Sequence, residues 1–172
     1  SGMKWLGVNA IEKAIKIIKA LEDLEREWMM TKRDPLLPPP TINIGTIKGG
    51  MAGSVVPDYC QVDFGVHFLP QDADQEGLGS KVAEEIKERI MLTAQGDPWL
   101  KDHQPQLKKY QEGSPLQLTE DNKLVDSISA NYQEVREKKP EIKGCEYGCD
   151  ARLLYNYAQI PTVMFGPGSI QQ

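Results

Sequence analysis

Tyr59-Cys60-Gln61-Val62-Asp63-Phe64-Gly65-Val66-His67-Phe68 alternates without a break. Cys60, Val62, Phe64, Val66 and Phe68 point one way; Tyr59, Gln61, Asp63, Gly65 and His67 point the other. Successive side chains on a strand face opposite sides, so this is the pattern of an antiparallel strand with one buried face. Just upstream, Thr41-Ile42-Asn43-Ile44-Gly45-Thr46-Ile47 sets Ile42, Ile44 and Thr46 against Asn43, Gly45 and Ile47 and reads as a second strand. Gly49-Gly50-Met51-Ala52-Gly53-Ser54 reads as a flexible turn. Together they predict a hairpin-like pair with a wide loop.

Helices flank this pair. Asn9 is placed to cap the first, with Glu12 three residues on as in a capping box. Val8, Ile11, Ile15 and Ile18 fall on one stripe, with Ala14, Leu21 and Leu24 beside it, and the pattern ends near Trp28. Asp34-Pro35-Leu36-Leu37-Pro38-Pro39-Pro40 is a stiff extended connector, because proline fixes φ and biases the residue before it. Downstream, Leu78, Val82, Ile86 and Ile90, with Ala83 and Met91, predict a second amphipathic helix. Gln106 to Glu112 reads as a short strand. The order is helix, strand, strand, helix, strand. One strand ahead of residue 1 would complete the β-α-β-β-α-β split unit of ferredoxin-like folds. A helix at the very start with no strand beside it raises the expectation of an N-terminal truncation.

Gly113-Ser114-Pro115 is a hinge-like break. Beyond it, Thr119 can cap a third helix with Leu124, Ile128, Tyr132 and Val135 on its stripe. A Cys145 segment, a short helix at Asp150–Tyr157, a strand at Thr162–Phe165 and a Gly166-Pro167-Gly168 loop follow. A piece of this size is small to hold a core alone, and is expected to be part of a larger sheet. The fold class is α/β of the α+β kind. It divides into residues 1–114, a ferredoxin-like unit lacking its first strand, and residues 115–172, an incomplete α/β unit.

Composition narrows the function classes. The 172 residues are 40% hydrophobic and 26% charged, with a net charge of −5. A negative balance argues against nucleic acid or an anionic membrane as partner. The longest apolar runs are a few residues, too short for a membrane span. Three cysteines without framework spacing suit a reducing, cytoplasmic setting. A non-catalytic ferredoxin-like interaction module is the alternative. Its RNA-binding versions need outward aromatics and a basic surface, which the outward row from Tyr59 to His67 does not supply.

Few residue groups suggest chemistry. Cys145-x-x-x-Cys149 is too loose for a zinc site, and its other helpers, Cys60, His67 and His103, are distant in sequence. As a nucleophile, Cys145 or Cys149 lacks a histidine partner nearby. Ser54 and Ser169 sit in glycine-rich turns without a Gly-x-Ser-x-Gly elbow. Arg152, two residues after Asp150 at the start of a short helix, is the strongest candidate, since its planar fork suits a carboxylate. On local sequence a structural Asp150–Arg152 pair is equally open.

Four motifs in order then become familiar: Gly7-Val8-Asn9-Ala10-Ile11-Glu12-Lys13-Ala14; Asn43 to Gly50; Val55-Val56-Pro57-Asp58; and Gly148-Cys149-Asp150-Ala151-Arg152 with Gly166-Pro167-Gly168. They resemble the acetylornithine deacetylase and succinyl-diaminopimelate desuccinylase family, dinuclear-zinc amidohydrolases related to carboxypeptidases. The resemblance implies that residues 1–114 form an inserted lid, or dimerisation, domain and that residues 115–172 return to the zinc catalytic domain. It implies hydrolysis of the amide bond of an N-acyl amino acid or small peptide, with two zinc ions (or cobalt) activating a water and a glutamate shuttling the proton. By the same resemblance, the metal ligands and that glutamate lie outside this chain. No catalytic residue and no metal ligand is then expected in it, and the chain alone is expected to be inactive. Arg152 matches the family's Asp-x-Arg pattern and is implied to hold a substrate carboxylate, with Gly166 and Gly168 lining the site by backbone. Ser54 stands where many relatives have asparagine and His67 where many have arginine, which leaves the substrate open. A homodimer is implied, through the Ile42–Ile47 edge and the first helix.

Overall fold

The computed structural model describes residues 3–118 and 122–166. Asn9 opens α1 (Ala10–Thr31) as expected, its Oδ1 accepting from the backbone N–H groups of Ile11 and Glu12. Glu12 does not close the box back onto Asn9; its carboxylate pairs with Lys4 instead. The helix runs on to Thr31 and buries a different stripe from the one its first turns suggest. Leu21, Leu24 and Trp28 are buried, with Ile17 packed against them, whereas Ile15 is 48% exposed. Positions 17, 21, 24 and 28 follow the i, i+4, i+7 spacing of one helical face.

The strands β1 (Thr41–Gly49) and β2 (Cys60–His67) pair antiparallel. A bulge between Ile44 and Thr46 breaks the ladder: Ile44 opposes Phe64, yet Thr46 opposes Asp63. Gly45 is the extra residue. An inserted residue moves everything after it to the opposite face. This corrects the uninterrupted alternation expected over Thr41–Ile47. Ile47 opposes Val62 and shares its face of the sheet, though it stays about half exposed, and Thr46 turns outward, where its hydroxyl donates to Asp63 at 2.7 Å. The last residue of the strand, Gly49, is closely approached by the chain opposite and by α1. A Cβ there would lie 2.8 Å from the Tyr59 carbonyl oxygen and 3.2 Å from Ile11.

The helix α2 (Ser80–Gln95) lays Val82, Ile86, Ile90 and Ala94 inward. The core is one cluster of Leu21, Leu24, Trp28, Ile42, Val82, Ile86 and Ile90, flanked by Ile44, Phe64, Val66 and Phe68. Each large apolar side chain so buried contributes about 1.5–3 kcal/mol of hydrophobic stabilisation. Polar ties fix the helices around it. Trp28 Nε1 donates to Glu85 at 2.7 Å, and Lys32 bridges Glu85 and Asp72 at 2.9 and 3.1 Å. Burial pulls the Lys32 amine down. The hydrogen bonds to Glu85 and Asp72 and their charges outweigh it, leaving the pKa above the ordinary lysine value. At the far end of α2, Asp97 is 2% exposed and ties the helix end to α1 through Lys13 and Lys16.

Beyond the crossing at Gly113–Pro115 lie α3 (Lys123–Arg136) and α4 (Ala151–Ala158). Asn122 caps α3, its side chain accepting from Leu124 N–H; the cap expected at Thr119 lies outside the described residues. The strands expected at Gln106–Glu112 and Thr162–Phe165 do not form. A strand is held by its ladder, and neither segment finds a ladder partner among the described residues. The observed class is therefore mixed α/β, with one two-stranded antiparallel sheet and four α-helices among the described residues.

Candidate functional site

The residues singled out for function fall in two places. Ser54 is exposed in the β1–β2 connection, beside a turn closed by Val55 N–H donating to the Ala52 carbonyl at 3.1 Å. The connection is docked on α1. Pro57 is buried and its carbonyl accepts from Ala10 N–H at 2.9 Å, while Gly50, at φ +77, lets the chain turn against Ile11. A positive φ costs an L-residue free energy that glycine does not lose. This wide loop is thereby held at the N-terminal end of α1.

Arg152 lies in the first turn of α4. Asp150 occupies the N-cap position without a side-chain cap bond. Beyond residue 100, the ion pairs among the described residues are Lys109–Glu112 and Lys143–Glu141. The structural Asp150–Arg152 pair left open by the sequence is not among them. The Arg152 guanidinium instead passes over Gly113, where a Cβ would stand 3.8 Å from Cζ and 3.9 Å from Nε. Half-exposed and without a carboxylate partner among the described residues, it can accept an anion from solution.

Gly166 follows Phe165, whose ring meets Tyr132 of α3 edge-on at 5.9 Å between centroids. A Cβ on Gly166 would touch nothing within 4 Å. Gly168 and Ser169 lie outside the described residues. No extensive packing joins α4 to α1, β1, β2 or α2.

Two features escaped the sequence. Asn156, on α4, donates from Nδ2 to Ser114 Oγ at 2.9 Å and to the Pro115 carbonyl at 3.1 Å. Asp97 gathers four donor groups: Lys13 and Lys16 amines at 2.8 and 2.5 Å, and the Trp99 and Leu100 N–H groups at 2.9 and 3.0 Å. The Lys13 bonds, then those of Lys16 and Leu100, hold its carboxyl far below the usual carboxylate range. The Asp97-Pro98 step after a helix was the only local signal for it. Its lysine partners are more than eighty positions away.

The thiols carry little. Cys60, Cys145 and Cys149 are all free. Cys145 donates to the Tyr147 carbonyl at 3.1 Å, and burial pushes the Cys60 thiol up, away from the reactive thiolate. Among the described residues no three His, Cys, Asp or Glu side chains are grouped to hold a metal ion. These residues do not fit the zinc pair that the resemblance implies. Among them, no helix is long and apolar enough to cross a membrane.

Comparison with known proteins adds to this geometry. The model of a peptidase dimerisation domain matches residues 1–90. An N-formyl-4-amino-5-aminomethyl-2-methylpyrimidine deformylase of Bacillus subtilis is 31% identical over 181 residues, covering 99% of this chain and 41% of its own. A protein of the same name from Halalkalibacterium halodurans is 28% identical over 96% of this chain and 40% of its own. An acetylornithine deacetylase of Aliivibrio salmonicida is 26% identical, again over 96% of this chain and 40% of its own. The chain thus spans about 40% of the length of these curated relatives.

Proposed function

The chain belongs to the M20 peptidase family, whose dimerisation domain matches residues 1–90, and from that premise we propose that it is part of a metal-dependent amidohydrolase. The parent would cleave the amide bond of a small N-acylated amine, first among them an N-acyl amino acid or small peptide. The observation that carries this reading is a similarity to relatives named for such hydrolysis that runs through both halves of the chain.

In this reading residues 1–114 are the lid, a ferredoxin-like unit lacking its first strand and, among the described residues, without a ladder for its last, and residues 115–172 belong to the catalytic domain. The bare flanks of α3 and α4 support the division. Neither helix buries a side chain, and Tyr157 is 81% exposed, as a unit that packs against other parts of a larger domain would leave them. Arg152 would hold a substrate carboxylate, Gly166 and Gly168 would line the site by backbone, and Ser54 would contribute from the lid. The metal, zinc by resemblance, would be held by residues other than those described here. Three free cysteines favour a reducing, cytoplasmic setting.

A second substrate reading has its own support. Two relatives are named for a deformylase whose substrate is an N-formyl aminomethylpyrimidine, a molecule without a carboxylate. A formyl amide and an acetyl amide are cleaved by the same type of step, so the two readings differ only in what grips the amine side. The expected result is no hydrolysis of N-acetyl-L-ornithine or of the N-formyl pyrimidine by the 172-residue chain, with or without added zinc or cobalt. The full-length parent is expected to cleave at least one of them and to lose that activity to a chelator. Metal-dependent turnover by the short chain would overturn its assigned inactivity. A parent that cleaves neither would overturn the amidohydrolase reading.

Homodimerisation follows from the same domain. Among the described residues the strand β1 pairs with β2 on one side only, so its other edge carries no strand, although its Ile42 N–H donates to Glu25. Ile15 on α1 and Ile47 on β1 each stand about half exposed, adding apolar surface to the same two elements. We expect light scattering on the chain at high concentration to give twice the chain mass. A strict monomer there would count against pairing through this edge.

A further inference from the structure

The sequence reads Gly113-Ser114-Pro115 as a loose hinge. In the structure it is held from both sides. On the lid side, Glu112 accepts from the Gly79 N–H at 3.1 Å and from Lys109 at 2.8 Å. Ser114 lies under Gly77, where a Cβ would come within 3.7 Å of its own. On the α4 side, Asn156 Nδ2 donates to both Ser114 Oγ and the Pro115 carbonyl. Arg152 and Asn156 are four residues apart and so share one face of the helix. One clasps the crossing while the other lies across Gly113.

We propose that Asn156 is a positioning residue: it latches the crossing between the two proposed domains onto α4 and thereby fixes the Arg152 guanidinium over Gly113. The proposal rests on Arg152 being the carboxylate-binding group, and it goes further. It makes the crossing one wall of that site, so that the lid cannot swing without moving the arginine. The amide is required for this. A carboxylate of the same size at position 156 could still accept from the Ser114 hydroxyl, but it would face the Pro115 carbonyl with no donor. A Cβ at position 113 would stand in ordinary van der Waals contact with the guanidinium, so this stretch of the crossing lies directly against it.

Limited proteolysis of the 172-residue chain with a Glu-specific protease tests the latch, since the Glu112–Gly113 bond lies within it. Losing two hydrogen bonds to a local structure should speed opening roughly tenfold. Asn156→Ala should be cut at Glu112 about ten times faster than wild type, and the isosteric Asn156→Asp, which keeps the Ser114 bond, at a rate between the two, with cleavage in α1 unchanged. Equal cleavage of Asn156→Ala and wild type, or an Asn156→Asp rate matching wild type, would overturn the proposal. The positioning role is read from the Arg152 Nε–H resonance. It should shift in both variants, and a resonance that stays put while cleavage accelerates would overturn the role. Titration with N-acetyl-L-ornithine separates the two ideas. An Arg152 resonance that ignores the ligand in wild type, while still moving in Asn156→Ala, would sink the carboxylate reading and leave the latch standing.

Discussion

Replacing Arg152 by glutamine in the full-length parent should lower kcat/KM for N-acetyl-L-ornithine about 100-fold. It should leave cleavage of the N-formyl aminomethylpyrimidine within a factor of about two. A charge-assisted hydrogen bond to a carboxylate contributes about 1.5–3 kcal/mol, and tenfold in rate corresponds to about 1.4 kcal/mol. Glutamine keeps one planar donor group but loses the charge and the fork. Arg152→Lys tests the fork separately. Lysine restores the charge as a point donor, so it should recover part of the loss and not all of it. The formyl substrate has no carboxylate to lose, which makes the ratio of the two effects the informative quantity. Equal losses on both substrates would mean that Arg152 supports the fold of α4 rather than the ligand. An unchanged ratio with no loss at all would remove Arg152 from the site. The half-exposed guanidinium over Gly113, without an ion-pair partner among the described residues, is what makes a ligand role physically available.

The second large effect concerns stability. Asp97→Ala should cost about 3 kcal/mol in urea unfolding followed by tryptophan fluorescence. Removing one member of a buried ion pair typically costs that much, because the partner charge is left uncompensated. Here the partner is Lys13, 22% exposed at its side chain, and two backbone N–H groups lose their acceptor with it. Asp97→Asn keeps an acceptor for Trp99 and Leu100 but not the charge, so its cost should fall between wild type and alanine. The pH dependence has a definite sign. The folded carboxyl titrates below its unfolded value, so the unfolded chain binds more protons as the solution is acidified. The Asp97 contribution is complete above the ordinary aspartate pKa of about 3.9 and is lost as pH falls from there toward the folded value. The stability gap between wild type and Asp97→Ala should therefore be constant from pH 8 to 5 and narrow progressively below about 4. A gap that stays constant down to pH 2 would show that the lysine pairs do not set the carboxyl's titration.

Much of this molecule was legible before any coordinates. The cap at Asn9, the strand Cys60–His67, the helix Ala151–Ala158 and the second amphipathic helix all appear where periodicity and capping chemistry place them. These are local statements: a side chain reaching two or three residues along, or an apolar face repeating every second or fourth position. The failures are also physical. The first turns of α1 offered an apolar stripe through Ile11 and Ile15, but what α2 and the sheet cover is the face of Ile17, Leu21, Leu24 and Trp28. A run of isoleucines does not say which side its neighbours will occupy. The bulge at Gly45 moved Ile47 to the face it shares with Val62, because one extra residue against the partner strand inverts all that follows. The two segments read as strands found no ladder, and extended residues without one are not strands.

The division of labour is clearest at the candidate site. Residue types and spacing offered Arg152 only on a par with a structural pair, and the family motifs around it raised it to the leading candidate. They could not show that the arginine rests on Gly113, or that Asn156 clasps Ser114 and Pro115 across some forty positions. Nor could they show that Asp97 gathers two lysines from a helix more than eighty positions upstream. Contacts of that kind depend on how elements pack, and packing is chosen by burial summed over the whole core. The chain specified its helices, its hairpin and its family; folding selected which polar groups meet, and so turned a hinge-like sequence into a latched crossing.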